Sequence, residues 1–188
     1  MGACKNLRTL APSPTKGITM RQQIIVSGLG GQGALTITRV LAEAAAALGF
    51  EVLTSETHGM AQRGGTVISM IKVGPFRGPL IPAGRADVGL FLHPKNLALH
   101  RSYLRTGAAV FVNSEVPGDY QGLDAGGLAR QLGAPVAANL ILLGYAAGKQ
   151  ALFCGPDLLE QVIQDQTPAR FREINLTAWR TGVAAAAT

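Results

Sequence analysis

The stretch at residues 22–34, QQIIVSGLGGQGA, constrains the fold of this chain more than any other. An apolar, β-branched run, Ile24-Ile25-Val26, passes through Ser27 into Gly28, Gly30, Gly31 and Gly33, and an Ala/Leu-rich segment follows. That order predicts a strand, a glycine turn and a helix. Gly28, Gly30 and Gly33 fit the G-x-G-x-x-G spacing. In it the first glycine makes the tight turn, the second lets backbone approach a phosphate, and the third lets helix and strand pack closely. The helix start then offers unpaired N–H groups and a positive dipole end to an anion. Two readings stay open: a site for a phosphate-containing ligand, and a tight turn whose role is structural.

The rest of the chain alternates in the same way. Residues 34–48 carry apolar side chains at helical spacing through Leu35, Val40, Leu41, Ala45 and Leu48, with Gly49 as the stop. Residues 50–55 read as a second strand, completing a βαβ unit expected in a parallel sheet. Further strands are expected at 66–73, 87–92 and 108–113, with a Pro/Gly-rich connection at 74–84. Pro94 opens a helix expected over 95–105, with Leu97, Leu99 and Leu104 on its apolar face. Helices are expected at 125–132, 135–147, 156–164 and 168–183, the last amphipathic through Phe171, Ile174 and Trp179. The fold class is α/β: a Rossmann-like, mostly parallel sheet flanked by helices, with C-terminal helices. Residues 1–20 read as a flexible N-terminal extension, and 21–188 as a single domain.

Composition narrows the function. With 47% apolar residues, 188 residues bury a core without disulfides or a structural metal. Cys4 and Cys154 stand far apart with no C-x-x-C neighbour, which excludes a self-contained zinc site or iron–sulfur cluster. Residues 1–19 lack the apolar core of a signal peptide, and no apolar run reaches the ~18 residues a membrane span needs, so a cytoplasmic protein is expected. The net charge of +6 is concentrated early: Lys5, Arg8, Lys16 and Arg21 precede the first acid, Glu43. Without aromatic residues interleaved among the cations, this reads as a solvated basic tail rather than a nucleic-acid surface.

The second informative stretch is residues 56–65, ETHGMAQRGG. Arg63 offers a planar fork of donors for phosphate or carboxylate, and Gly64 and Gly65 allow close backbone approach. His58 and Gln62 add polar groups. Glu56 sits near the end of the second strand, about where dinucleotide enzymes keep an acid for ribose hydroxyls, and also reads as a loop-fixing or partner-facing carboxylate. Asn139, alone in an apolar run, needs a hydrogen-bond partner, whether backbone, ligand or neighbouring subunit. No nucleophile–base pair, carboxylate pair or metal cluster stands out, and Gly28-Leu29-Gly30 is not followed by the Lys-Ser/Thr of a P-loop.

The segments GLGGQG at 28–33, SETHGMAQRGG at 55–65, Ala86-Asp87-Val88 and Ala137-Ala138-Asn139 together resemble the gamma-type subunit of 2-oxoacid:acceptor oxidoreductases. The likeness covers nearly everything after Met20, and the HGMAQRGG form looks most like the small (beta) subunit of the indolepyruvate ferredoxin oxidoreductase branch. The resemblance implies a subunit, inactive alone, of an enzyme that decarboxylates a 2-oxoacid on thiamine diphosphate and captures the acyl group with coenzyme A. Electrons then pass through [4Fe-4S] clusters to ferredoxin, or to NAD through a flavin subunit. Thiamine diphosphate, magnesium and the clusters would belong to companion subunits. Here Gly28, Gly30, Gly31, Gln32, Gly33, Glu56, His58, Gln62, Arg63, Gly64, Gly65 and Asn139 would face coenzyme A or a companion chain. The chain departs from the family pattern in its extension and at His93-Pro94-Lys95. Phenylglyoxylate, 2-oxoglutarate or pyruvate enzymes therefore stay open, as does a non-catalytic nucleotide-binding or scaffolding module.

Overall fold

The computed structural model describes residues 20–58 and 65–187. The expected extension at 1–19, and Gln62, Arg63 and Gly64, lie outside the described residues. The framework is a six-stranded sheet in the order β2-β3-β1-β4-β5-β6, with β1 Gln22–Leu29, β2 Val52–His58, β3 Thr66–Val73, β4 Ala86–Phe91, β5 Leu104–Asn113 and β6 Gln121–Leu123. β1 occupies the interior of the sheet, and its Ile24, Ile25 and Val26 are completely buried. That is why its sequence is an unbroken apolar run rather than an alternation.

The sheet is mixed. β1 pairs parallel with β4, β4 with β5 and β5 with β6, whereas β3 runs antiparallel to both β1 and β2. The expected βαβ unit exists in altered form. Helix α1, Ala34–Ala47, carries the chain from β1 to a β2 that points the same way, but β3 lies between the two strands. Local periodicity reports that a segment is a strand; it does not report the neighbour, because pairing energy is set by contacts far away in sequence.

Two expected boundaries move. Helix α2, Pro94–His100, is followed by a 3-10 turn at Arg101–Tyr103, so Leu104 begins β5 instead of extending a helix, and Leu99 is 61% exposed. The stretch expected as one helix from 135 opens as a 3-10 turn, Pro135–Ala137, before α4, Ala138–Gly148. β6, only three residues long, leaves no periodic signature. The remaining helices are α3, Ala125–Gln131, α5, Pro156–Gln166, and α6, Ala169–Ala185.

The two faces of the sheet are unequally covered. On one, α1 and α3–α6 enclose the main core, which includes Ile37, Leu41, Phe111, Ile141 and Trp179. On the other, a small cluster of Ile25, Ile68, Met70, Ile81, Phe91 and Val112 is packed by α2 residues and by the 74–84 connection. Within α6, Ala178 and Trp179 are fully buried whereas Phe171 is 46% exposed, so the apolar stripe does not include Phe171.

Candidate functional site

The glycine turn is the junction of β1 and α1, held from three directions. Within it, Gln32 Oε1 accepts the Leu29 N–H at 2.7 Å and the Gln32 N–H donates to Leu29 O at 3.1 Å. From the following loop, Gly65 O accepts the Gly30 N–H at 2.9 Å, which ties the two glycine-bearing segments together. From α4, Asn139 Nδ2 donates to Gly33 O at 3.2 Å, while Asn139 Oδ1 accepts the Leu140 N–H at 2.9 Å. Of the three partner classes the sequence left open for Asn139, backbone is therefore the one observed. The shortened α4 explains it: with the helix starting at Ala138, Asn139 falls in the first turn and faces α1.

Gly33 shows why this position has no side chain. Its φ is 83°, in the left-handed region, and a Cβ there would overlap the Asn139 amide. As the N-cap it supplies no side-chain acceptor, and α1 has no capping side chain. Thr36 and Ile37 donate to Gly33 O, so the Ala34 and Leu35 N–H groups and the dipole end are left for the cleft at the helix start.

That cleft, of ≈ 390 Å³, is lined by Leu29, Gly30, Gly31, Gly33, Ala34, Leu35, Thr36, Arg39 and Val67. Arg39 is the cation that the motif reading missed. It follows Leu35 by four residues and Thr36 by three, which places it on the same face of α1. It is exposed and makes no ion pair with any described residue. Its only sequence signal was that spacing, and an arginine on a surface helix ordinarily reads as a solvated charge. A second cleft of ≈ 390 Å³ lies on the other side of the turn, between Gly31, Gln32, Leu92, Asn113, Arg130, Val136 and Asn139 among others. Both sit at the carboxyl ends of the strands, where open α/β sheets bind ligands.

A buried polar knot supports the turn from beneath. β1 and β4 pair in register as far as Ser27 opposite Phe91, and Ser27 O accepts the Leu92 N–H at 2.7 Å. Asn96 of α2 sits against this junction: it is completely buried, and its Nδ2 donates to Gly28 O and to Ser27 Oγ, both at 3.0 Å. Ser27 Oγ in turn donates to Val67 O at 3.0 Å and lies 2.8 Å from His100 Nδ1. With its single proton on Val67 O, its lone pairs are filled by Asn96 and by an Nδ1–H on His100, which satisfies the hydroxyl, while Asn96 Oδ1 stays buried without a partner.

Burial lowers the His100 pKa below its ordinary value. The unfolded chain therefore takes up a proton that the folded one resists, and stability is lost as pH falls through the ordinary imidazole range at about 6.5. Thermal melts at pH 5 and pH 7.5 are expected to differ more for the native chain than for His100→Gln, in which this titration is removed. Equal differences would show that His100 contributes nothing to the pH dependence.

The other residues singled out by sequence are more dispersed. His58 ends β2, in register with Val67, and Glu56 pairs with Ser69 on that edge strand, with β3 between it and β1. Glu56 is exposed and lines neither cleft around the glycine turn. Among the described residues no group of three or more His, Cys, Asp or Glu is arranged to hold a metal, and no helix is long and apolar enough to cross a membrane. Cys154 is a free thiol whose pKa burial pushes up to about 12, which leaves it unreactive.

The family described as pyruvate ferredoxin/flavodoxin oxidoreductase matches residues 23–185. The indolepyruvate oxidoreductase subunit IorB of Archaeoglobus fulgidus is 32% identical over 189 residues, covering 87% of this chain and 94% of that protein. Among solved structures, the gamma subunit of a keto/oxoacid ferredoxin oxidoreductase from Geobacter sulfurreducens superposes with a TM-score of 0.72 at 25% identity, covering 88% of this chain and 98% of that one. The fold also matches 31% of a longer chain, the 2-oxoglutarate:ferredoxin oxidoreductase of Magnetococcus marinus, with 89% of this chain covered, a TM-score of 0.73 and 20% identity. A family match over most of the chain, relatives of the same length and a shared six-stranded architecture lead to one assignment: this chain belongs to the pyruvate ferredoxin/flavodoxin oxidoreductase family.

Proposed function

We propose that this chain is the gamma-type subunit of a cytoplasmic 2-oxoacid oxidoreductase of the indolepyruvate type, and that its glycine turn receives the phosphates of coenzyme A. The observation that carries the reading is the cleft at the start of α1, where an uncapped helix N-terminus and the unpaired Arg39 converge beside Gly30 and Gly31. A helix dipole and a guanidinium together favour a polyanion and offer little to a neutral ligand. The likeness to IorB supports the indolepyruvate branch, and the Magnetococcus enzyme with a domain of this fold is described with coenzyme A bound. The second cleft, partly apolar through Leu92 and Val136, suits the rest of an extended ligand lying across the turn.

Companion subunits bring thiamine diphosphate with its magnesium, which supports decarboxylation, and the [4Fe-4S] clusters, which relay electrons to ferredoxin or another acceptor. The part of this chain is to hold the thiol-bearing substrate at its charged end, with Arg63 and Gln62 of the neighbouring loop as further candidates for the same anion. Replacing Arg39 by Ala in the assembled enzyme is expected to raise the KM for coenzyme A about tenfold with kcat little changed. That is the loss of one charge-assisted contact at an exposed position. An unchanged KM would remove the cleft from the coenzyme site.

A further inference from the structure

The opposite end of the sheet carries a different feature. Lys72 of β3 lies in register with Gln23 near the start of β1 and Leu53 near the start of β2. The glycine turn is then about 20 Å away along β1. Lys72 is only 7% exposed, and it shares its face of the sheet with Met70 and Ile68. Its Nζ stands 5.1 Å from the centre of the Phe76 ring, and the Arg21 guanidinium stands 4.4 Å from the same ring. Two cations therefore converge on one aromatic side chain. Neither donates a side-chain hydrogen bond to a described residue.

No acid of this chain answers them. The sequence has 11 Asp and Glu residues. All fall among the described residues, and none forms an ion pair with Lys72 or Arg21. An ammonium on an almost wholly buried residue, without a carboxylate and beside a second positive charge, is costly to hold, and the face of one ring compensates only in part. The lysine pKa is lowered accordingly, first by burial and then by the Arg21 charge. Native structures seldom keep such a group unanswered unless something else completes it.

We propose that Lys72, Arg21 and Phe76 form a receptor for an acidic side chain of a companion subunit. The carboxylate would take the ammonium and the guanidinium while its methylenes lie against Phe76. The half-buried ring favours a polypeptide acid over a free phosphate, since a dianion gains nothing from the negative face of an aromatic ring whereas an aliphatic stem packs on it. This rests on the reading of the chain as one subunit of a heteromeric enzyme.

The experiment combines two variants, Lys72→Met and Arg21→Ala, with the thiamine- and iron–sulfur-bearing remainder of the complex purified without this chain. Lys72→Met keeps the packing and removes the charge. It is expected to raise the melting temperature of the isolated chain by about 2–4 °C while weakening assembly about tenfold and flattening its salt dependence. Arg21→Ala, at an exposed site, is expected to weaken assembly a few-fold. Assembly and salt dependence unchanged in both variants, with the native chain assembling normally, would overturn the inference and leave the proposed function standing. Inorganic phosphate that raises the melting temperature of the native chain but not of Lys72→Met, with assembly unaffected, would overturn it in favour of a small-anion site. A native chain that does not bind the remainder at all would take away both.

Discussion

Replacing Gly182 by alanine is expected to destabilise the chain by about 1–2 kcal/mol net, the opposite sign to what the same change does in an ordinary helix. Gly182 lies within α6, and alanine there should gain about 1 kcal/mol of helix propensity. The gain is overruled by space. A Cβ on Gly182 would be driven into the backbone carbonyl of Ile141, and one on Gly144 into the backbone carbonyl of Trp179. These two glycines are where α4 and α6 touch backbone to backbone. The neighbour in each case is main chain, which has no rotamer to escape into, so the helices must separate and loosen the packing around the buried Trp179. Urea unfolding measures the effect; a neutral or stabilising result would show that the two helices slide apart freely.

The second large effect is expected at the glycine turn. Gly33→Ala would place a side chain at a φ of 83°, which costs about 1–2 kcal/mol, and displace the Asn139 amide from Gly33 O. Losing that bond and leaving a buried amide unsatisfied costs a further ~1–3 kcal/mol. The Asn139 amide is the end of a side chain and can swing away, so part of the cost depends on Asn139 being there. In a double-mutant cycle, Gly33→Ala combined with Asn139→Ala is therefore expected to cost at least about 1 kcal/mol less than the two single changes added together. In the assembled enzyme the same variant is expected to raise the KM for coenzyme A, because the first turn of α1 shifts with its cap. Strict additivity would show that the two residues do not meet.

The parts of this molecule that were legible in the sequence share a property: their evidence is local. Ile24-Ile25-Val26 followed by spaced glycines announces a strand, a turn and a helix because each residue's conformational preference is satisfied by its own neighbours in the chain. The same holds for α5 and α6, which open close to Pro156 and Pro168 near the expected positions. Departures occur where the deciding contact is remote. Leu104 was expected on a helix, and it is a strand residue because it lies opposite Ala86 of β4. Arg39 and Asn96 carry no motif; one acquires meaning from the cleft beside it and the other from the Ser27 hydroxyl and Gly28 carbonyl that its amide meets.

The sequence by itself determined that this is an α/β chain built on a glycine turn, and its combined motifs pointed to the family that the chain belongs to. Only the tertiary structure decided that β3 separates β1 from β2, that Asn139 serves the turn's backbone, and that Lys72 lies buried with no acid of its own chain in reach. The reason is physical: backbone preference and hydrophobic period act over a few residues, whereas strand order, burial of a charge and the meeting of side chains depend on segments tens of residues apart, whose positions are set when the core closes.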